Sequence, residues 1–137
     1  MRTLTRRLSM VLLMGLFASL LGGCGSSFNS EKFLKGIDTA LGNVPGVVST
    51  SNNYYNTAGM STSISIRITA AADADLEKVM AESLRAFADA SADVDATTSV
   101  AYYVFNEGAE KTGIRPTAVG LAVTPTVGQI RQYAGVK

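Results

Sequence analysis

Few side chains of this chain could do chemistry, because its 137 residues include one cysteine and no histidine. This composition excludes Ser-His-Asp and Cys-His nucleophile pairs, and zinc sites built from Cys and His clusters. A hydrolase could still use Ser or Thr with lysine, and for this Lys78 or Lys111 would need a buried neighbour. Both lysines lie in polar sequence. We therefore expect a protein that is not an enzyme and that holds no cofactor or metal.

The single cysteine, Cys24, ends an N-terminal segment typical of exported proteins. Three arginines, at positions 2, 6 and 7, precede the apolar run 8–21, and two glycines follow that run. Fourteen residues extend about 21 Å as a helix, less than the ~30 Å hydrocarbon core of a bilayer. A cleaved signal is therefore favoured over a permanent transmembrane helix, with Sec and twin-arginine export both left open.

The segment Leu21-Gly22-Gly23-Cys24 resembles the lipobox of bacterial lipoproteins. The resemblance implies that a diacylglyceryl group is attached to the Cys24 sulfur and that signal peptidase II cuts between Gly23 and Cys24. Two acyl chains, at about 0.8 kcal/mol per buried CH₂, suffice for stable anchoring. A plain signal peptide with a chance cysteine is the alternative.

This interpretation divides the chain into a removed signal peptide (1–23), a lipidated cysteine with a short tether (24–29) and one domain (30–137). The five residues after Cys24 reach at most ~18 Å, so the domain would stay close to the outer surface of a bacterial membrane. After residue 23 the chain has nine basic and eleven acidic residues. Such a balance does not favour a nucleic-acid partner.

Hydrophobic periodicity predicts the elements of the domain. Ser30 is predicted to cap a helix whose apolar residues follow at helical spacing, and Thr62, Ile64, Ile66 and Ile68 alternate with polar residues as in a strand. The predicted order is helix 30–42, strands 47–55 and 61–70, a helix from Asp73 or Asp75 to about 90, strands 99–106 and 118–124, and a short helix ending at Gly135.

This order, αββαββ plus a short C-terminal helix, predicts an α+β fold of the permuted ferredoxin-like kind. Its helices would cover one face of a mostly antiparallel four-stranded sheet, with a right-handed crossover from the second to the third strand. The segment Leu41-Gly42-Asn43-Val44-Pro45-Gly46-Val47 resembles the helix-to-strand joint of heavy-metal-associated domains. The metal-binding cysteine pair of that family is absent, so the resemblance implies no metal role.

Two groups of carboxylates are assigned structural roles. Asp73, Asp75 and Glu77 stand where a helix begins, and there they can accept bonds from free N–H groups. The segment 93–97 begins like a calcium loop, but Thr98 and Val104 replace the required Gly and Glu. A solvated turn is the favoured interpretation.

The candidate binding surface is the sheet face that the helices leave open. It would carry Arg67 with aromatic residues of the third strand, drawn from Tyr102, Tyr103 and Phe105. Burial of this row under the terminal helix or the long loop is the alternative. We expect a small interaction module that binds a membrane-protein neighbour or a second copy; a carrier of a lipid or other apolar ligand is the second hypothesis, and the Ser/Lys hydrolase the third.

Overall fold

The computed structural model describes residues 28–57 and 61–136. The predicted signal peptide (1–23) and Cys24 lie outside these residues. The helices and strands are α1 (Ser30–Gly42), β1 (Val47–Asn56), β2 (Thr62–Ala70), α2 (Leu76–Ala90), β3 (Ser99–Asn106) and α3 (Val127–Ala134), with 3-10 turns at Glu110–Thr112 and Pro116–Val119.

The three strands form one mixed sheet in the order β1-β2-β3. β1 pairs with β2 antiparallel, and β2 pairs with β3 in parallel through the crossover helix α2. The predicted four-stranded, mostly antiparallel, ferredoxin-like sheet is therefore wrong. The parallel β2–β3 pair agrees with the predicted crossover, since parallel neighbours need a long connection.

The segment 118–124 does not form the fourth strand because its backbone turns away from the sheet. Pro116 starts a 3-10 turn, and Gly120 ends it with a left-handed φ of 88°, a conformation that favours glycine and interrupts strand alternation. The chain meets the β3 edge on either side of this turn. Val104 and Ile114 exchange backbone bonds of 3.0 and 2.7 Å, and the Val100 N–H donates to the Pro125 carbonyl at 2.8 Å.

The core lies between one face of the sheet and the helices. α1 packs against β1 and α2, and α3 packs against α2. The alternating isoleucines of β2 are buried, and Tyr102 of β3 is 0% exposed, with its ring at right angles to that of Phe87 and 6.0 Å away. Removing these apolar surfaces from water is the main stabilising contribution. The buried helical side chains are Phe33, Ile37, Leu41, Val79, Met80, Leu84, Phe87 and Ile130.

The helix ends show where local sequence decides structure. Asp75 accepts from the N–H groups of Glu77 and Lys78 at 3.1 and 3.3 Å, so the predicted role of this carboxylate at the start of α2 is confirmed. At α1 the cap is Asn29, which accepts from the Lys32 N–H at 3.1 Å, and the predicted cap Ser30 is wrong by one residue.

Candidate functional site

The face of the sheet opposite the helices carries most of the predicted binding residues. Arg67 of β2 pairs in register with Tyr103 of β3, and Phe105 follows two residues later on the same face. Arg67 is exposed, Tyr103 half-buried and Phe105 9% exposed. Tyr102 points the other way, into the core, because successive side chains of a strand alternate between faces. Three of the four predicted residues therefore share one surface and Tyr102 does not.

Two arginines lie over the aromatic rings of this face. The guanidinium carbon of Arg67 is 5.2 Å from the Tyr103 ring centroid and 5.3 Å from that of Phe105. The guanidinium carbon of Arg115 is 5.4 Å from the Tyr103 centroid, and the two rings are 5.7 Å apart. Such cation–π contacts contribute about 0.5–1 kcal/mol each at exposed sites. We call Arg67, Tyr103, Phe105 and Arg115 the guanidinium–aromatic cluster.

The loop 107–115 folds over this end of the face and holds the cluster together. The Tyr103 hydroxyl donates to the Glu110 carbonyl oxygen at 2.6 Å and accepts from the Gly113 N–H at 2.9 Å. The Glu110 carboxylate forms an ion pair with Arg67. The partial cover anticipated as an alternative is thus present, and it comes from the loop.

Gly113 allows the loop to lie directly on β3. A Cβ at this position would be 2.5 Å from the Val104 carbonyl oxygen, 2.6 Å from Cζ of Tyr103 and 2.8 Å from Cβ of Phe105. Backbone and β-carbon atoms cannot move away cheaply, so any side chain at residue 113 would lift the loop. The close contact of loop and strand therefore depends on glycine.

A shallow cleft of about 550 Å³ opens beside the cluster. Lys111 and Arg115 are exposed, and within the described residues neither forms an ion pair. The loop 107–115 holds two acids: Glu110 pairs with Arg67, and Glu107 forms no ion pair in the described part of the chain. The cleft is thus lined by an aromatic ring and two cations; its lining residues are Tyr103, Lys111, Gly113, Ile114, Arg115, Thr117 and Ala118.

A second cleft, of about 610 Å³, lies where the described chain begins. The Phe28 ring contacts those of Phe33 and Tyr54, with centroids 5.5 and 5.1 Å away. Asp93 and Asp95 line the same cleft. This end of the domain therefore combines an aromatic cluster with acidic side chains.

Asp95 stabilises the turn that connects α2 to β3. Its carboxylate accepts from the Thr97 hydroxyl at 2.7 Å and from the Thr97 N–H at 2.8 Å. These bonds hold the pKa of Asp95 below its ordinary value. Among residues 28–57 and 61–136, no group of three or more His, Cys, Asp or Glu side chains could hold a metal ion.

Other polar groups lie away from the open face. Asp38 of α1 accepts from the Thr50 hydroxyl at 2.9 Å and from the Asn52 side-chain amide, linking the helix to β1. The Tyr102 hydroxyl is buried without a hydrogen bond in the described structure. Ser83 lies beside it, but the Ser83 hydroxyl donates to the Met80 carbonyl at 3.0 Å. Burial raises the pKa of Tyr102 well above its ordinary value.

The loop residues of the site were not predicted from sequence. Arg115, Glu110 and Gly113 lie between the predicted strands 99–106 and 118–124, and the two cations and the glycine that follow the aromatic strand are a usable signal. Lys78 and Lys111, the lysines of the hydrolase hypothesis, are both exposed.

Comparison with known proteins finds no match: no family model, no curated protein and no solved structure is similar to this chain. Within the described residues, no helix has the length and apolar character needed to cross a membrane. The site must therefore be interpreted from its own geometry.

Proposed function

We propose that this chain is a lipid-anchored protein on the extracytoplasmic side of a bacterial envelope, and that its domain binds a protein partner through the open sheet face. The binding role is proposed from the guanidinium–aromatic cluster. Exposed arginines held on aromatic rings at a sheet surface provide the residue types that dominate binding energy in protein interfaces. The activity proposed is recognition, with no cofactor.

The anchor is proposed from the resemblance of Leu21-Gly22-Gly23-Cys24 to a lipobox. Cys24 lies four residues before Phe28, which the structure packs against Tyr54. Four residues span at most ~14 Å, so a lipid on Cys24 would keep the Tyr54 end of the domain beside the membrane.

The cluster lies away from that end. Tyr54 pairs with Ile64, and Arg67 follows Ile64 by three residues, about 10 Å along β2. Tyr54 contacts the α1 side of the sheet, whereas Arg67 lies on the open face. In an anchored molecule the cluster would therefore remain accessible to a neighbouring protein.

The anchor is tested by replacing Cys24 with Ser and labelling growing cells with an alkyne analogue of palmitate. We expect the unaltered chain to take up label and to lose residues 1–23, as read from the intact mass. Cys24→Ser should show neither change, and Ser26→Ala, a control two residues after Cys24, should retain both. Labelling of Cys24→Ser would refute the anchor.

The binding face is tested by photo-crosslinking in the intact envelope. A photoreactive residue at exposed Ser51, which shares a row with Arg67, should form a product with a membrane protein or a second copy. The same residue at Lys35, exposed on α1, is the control. We expect the Ser51 product to vanish in the Arg67→Glu/Arg115→Glu variant. Equal products from Ser51 and Lys35 would contradict the proposal.

A further inference from the structure

The corner of the domain around the cleft carries an excess of positive charge. Arg67 and Arg115 lie over the Tyr103 ring and Lys111 lines the cleft; against these three cations the loop 107–115 carries two acids, Glu107 and Glu110, and Glu110 pairs with Arg67. The chain after residue 23 nevertheless contains more acidic than basic residues. The positive charge at this corner is therefore a local concentration and does not follow from the overall composition.

The Tyr103 ring brings two like charges together. The guanidinium carbons of Arg67 and Arg115 are 5.2 and 5.4 Å from the same ring centroid, so they are at most about 11 Å apart. The Debye length is about 8 Å at physiological ionic strength, so salt screens part of the repulsion between the two cations. Glu110 pairs with Arg67, whereas within the described residues no acid forms an ion pair with Arg115. An anion bound at Arg115 would neutralise the charge of this guanidinium.

We infer that the cleft beside Tyr103 binds a carboxylate carried by an acidic segment of the protein partner, with Arg115 and Lys111 as its cationic contacts. This inference rests on the proposed function and specifies the chemistry of its site. Arginine presents a planar pair of N–H donors that matches the two oxygens of a carboxylate, and lysine adds a second charge. The Tyr103 ring and Ile114 supply the apolar wall of the same cleft.

The site is organised before any ligand arrives. Tyr103 is held by two hydrogen bonds to the loop, at 2.6 and 2.9 Å, and the loop is held to β3 through Val104 and Ile114. The Arg115 guanidinium, which lies over the Tyr103 ring, is therefore held near the position in which it would bind a ligand. Such preorganisation lowers the entropy lost on association.

The location of the cluster favours an acidic protein segment over an anionic lipid surface. The cluster and Phe28, next to the proposed anchor, lie on opposite sides of the sheet and about 10 Å apart along the strands. The cleft at the Phe28 end carries Asp93 and Asp95, which would repel anionic headgroups. The acidic cleft, which Phe28 lines, is thus nearer to the proposed anchor than the cluster is.

The test uses the full lipidated chain in nanodiscs of zwitterionic lipid, with nuclear magnetic resonance of the arginine side chains. The probes are a hexaglutamate peptide and a hexaglutamine peptide of equal length. We expect hexaglutamate to shift the Arg115 signal saturably, and hexaglutamine to leave it unchanged. Arg115→Gln should weaken hexaglutamate binding at least about tenfold, the loss expected for one charged hydrogen-bonding group.

Two further variants keep the result decisive. Lys111→Gln should weaken hexaglutamate binding severalfold even if Arg115→Gln disturbs the loop, because Lys111 lines the cleft with an exposed side chain. Arg85→Gln, which removes an arginine near Tyr133 on the helical side, should leave affinity unchanged. Equal responses to the two peptides, or equal losses in the Arg85 and Arg115 variants, would overturn the inference.

The remaining outcomes separate this inference from the proposed function. If nanodiscs with anionic lipid shift the Arg115 signal without peptide, the site binds a lipid surface and the inference is wrong. If the Ser51 crosslink persists in Arg115→Gln and hexaglutamate does not bind, the face binds a partner but not through a carboxylate. If hexaglutamate binds and Ser51 gives no crosslink, the carboxylate site stands while partner binding in the envelope fails.

Discussion

The guanidinium carbon of Arg67 lies 5.2 Å from the centroid of the Tyr103 ring, directly across the parallel β2–β3 pair. Because the two residues are register partners, the backbone brings them together and their side chains need little further ordering. The same ring also carries Arg115 and is bonded to the loop 107–115 through its hydroxyl. Tyr103 thus connects β3, the loop 107–115 and the two arginines.

Replacing Tyr103 with Phe should loosen the loop while keeping the ring under the arginines. The change removes the bonds to the Glu110 carbonyl and the Gly113 N–H, with an expected loss of about 0.5–1.5 kcal/mol per bond. Hydrogen exchange at the Gly113 amide should accelerate. Tyr55→Phe, at an exposed tyrosine, is the control, and an unchanged Gly113 exchange rate in Tyr103→Phe would contradict this role.

Gly113→Ala should destabilise the fold, because the new Cβ would meet the Val104 carbonyl oxygen at 2.5 Å. Overpacking of this kind costs about 1–3 kcal/mol, measured as the free energy of unfolding in urea. Gly36→Ala is the matched control. Residue 36 lies within α1 with no atom near its Cβ position, so stability should rise by about 0.5–1 kcal/mol. A Gly113→Ala variant as stable as the unaltered chain would disprove the close loop contact.

Tyr102→Phe should be tolerated and should change the response of stability to alkali. The hydroxyl is buried without a hydrogen bond in the described structure, so its removal should leave stability at pH 7 equal or slightly higher. Burial raises the pKa of Tyr102 in the folded chain, whereas the unfolded chain ionises near pH 10. Above pH 10 the unfolded state is therefore favoured by deprotonation.

Relative to Tyr102→Phe, the unaltered chain should lose about 1.4 kcal/mol of stability at pH 11, and nothing below pH 9. Urea unfolding at a series of pH values measures this difference. Tyr55→Phe, which changes an exposed tyrosine, should follow the unaltered chain. Identical pH profiles for the unaltered chain and Tyr102→Phe would show that Tyr102 ionises freely in the fold.

Arg131→Ala should destabilise the contact between α3 and the end of α2. The Arg131 guanidinium donates to the carbonyl oxygens of Ser91 and Val94, the latter at 2.6 Å. Loss of charged bonds to these partly buried carbonyls should cost about 1.5–3 kcal/mol in urea unfolding. Arg85→Ala, whose guanidinium lies 6.0 Å from the Tyr133 ring, should cost less than about 1 kcal/mol. The reverse order of these two losses would refute the assignment.

The sequence by itself determined the local elements of this protein. Three strands, three helices and the cap at Asp75 follow from periodicity and from the need of free N–H groups for an acceptor, which are properties of neighbouring residues. The strand Ser99–Asn106 has the predicted bounds because its apolar run ends at polar residues. The lipobox-like segment is likewise a local pattern, and its consequences stay a proposal.

Only the tertiary structure decided how these elements form a surface. The run 99–106 is apolar on both sides, so its pattern could not tell whether Tyr102 or Tyr103 faces the helices; the parallel register with β2 settles this. The segment 118–124 alternates as a strand would, yet Pro116 and Gly120 turn its backbone away from β3. Arg115 reaches Tyr103 because Gly113 lets the loop lie on the sheet, a contact between residues distant in the chain that no local pattern encodes.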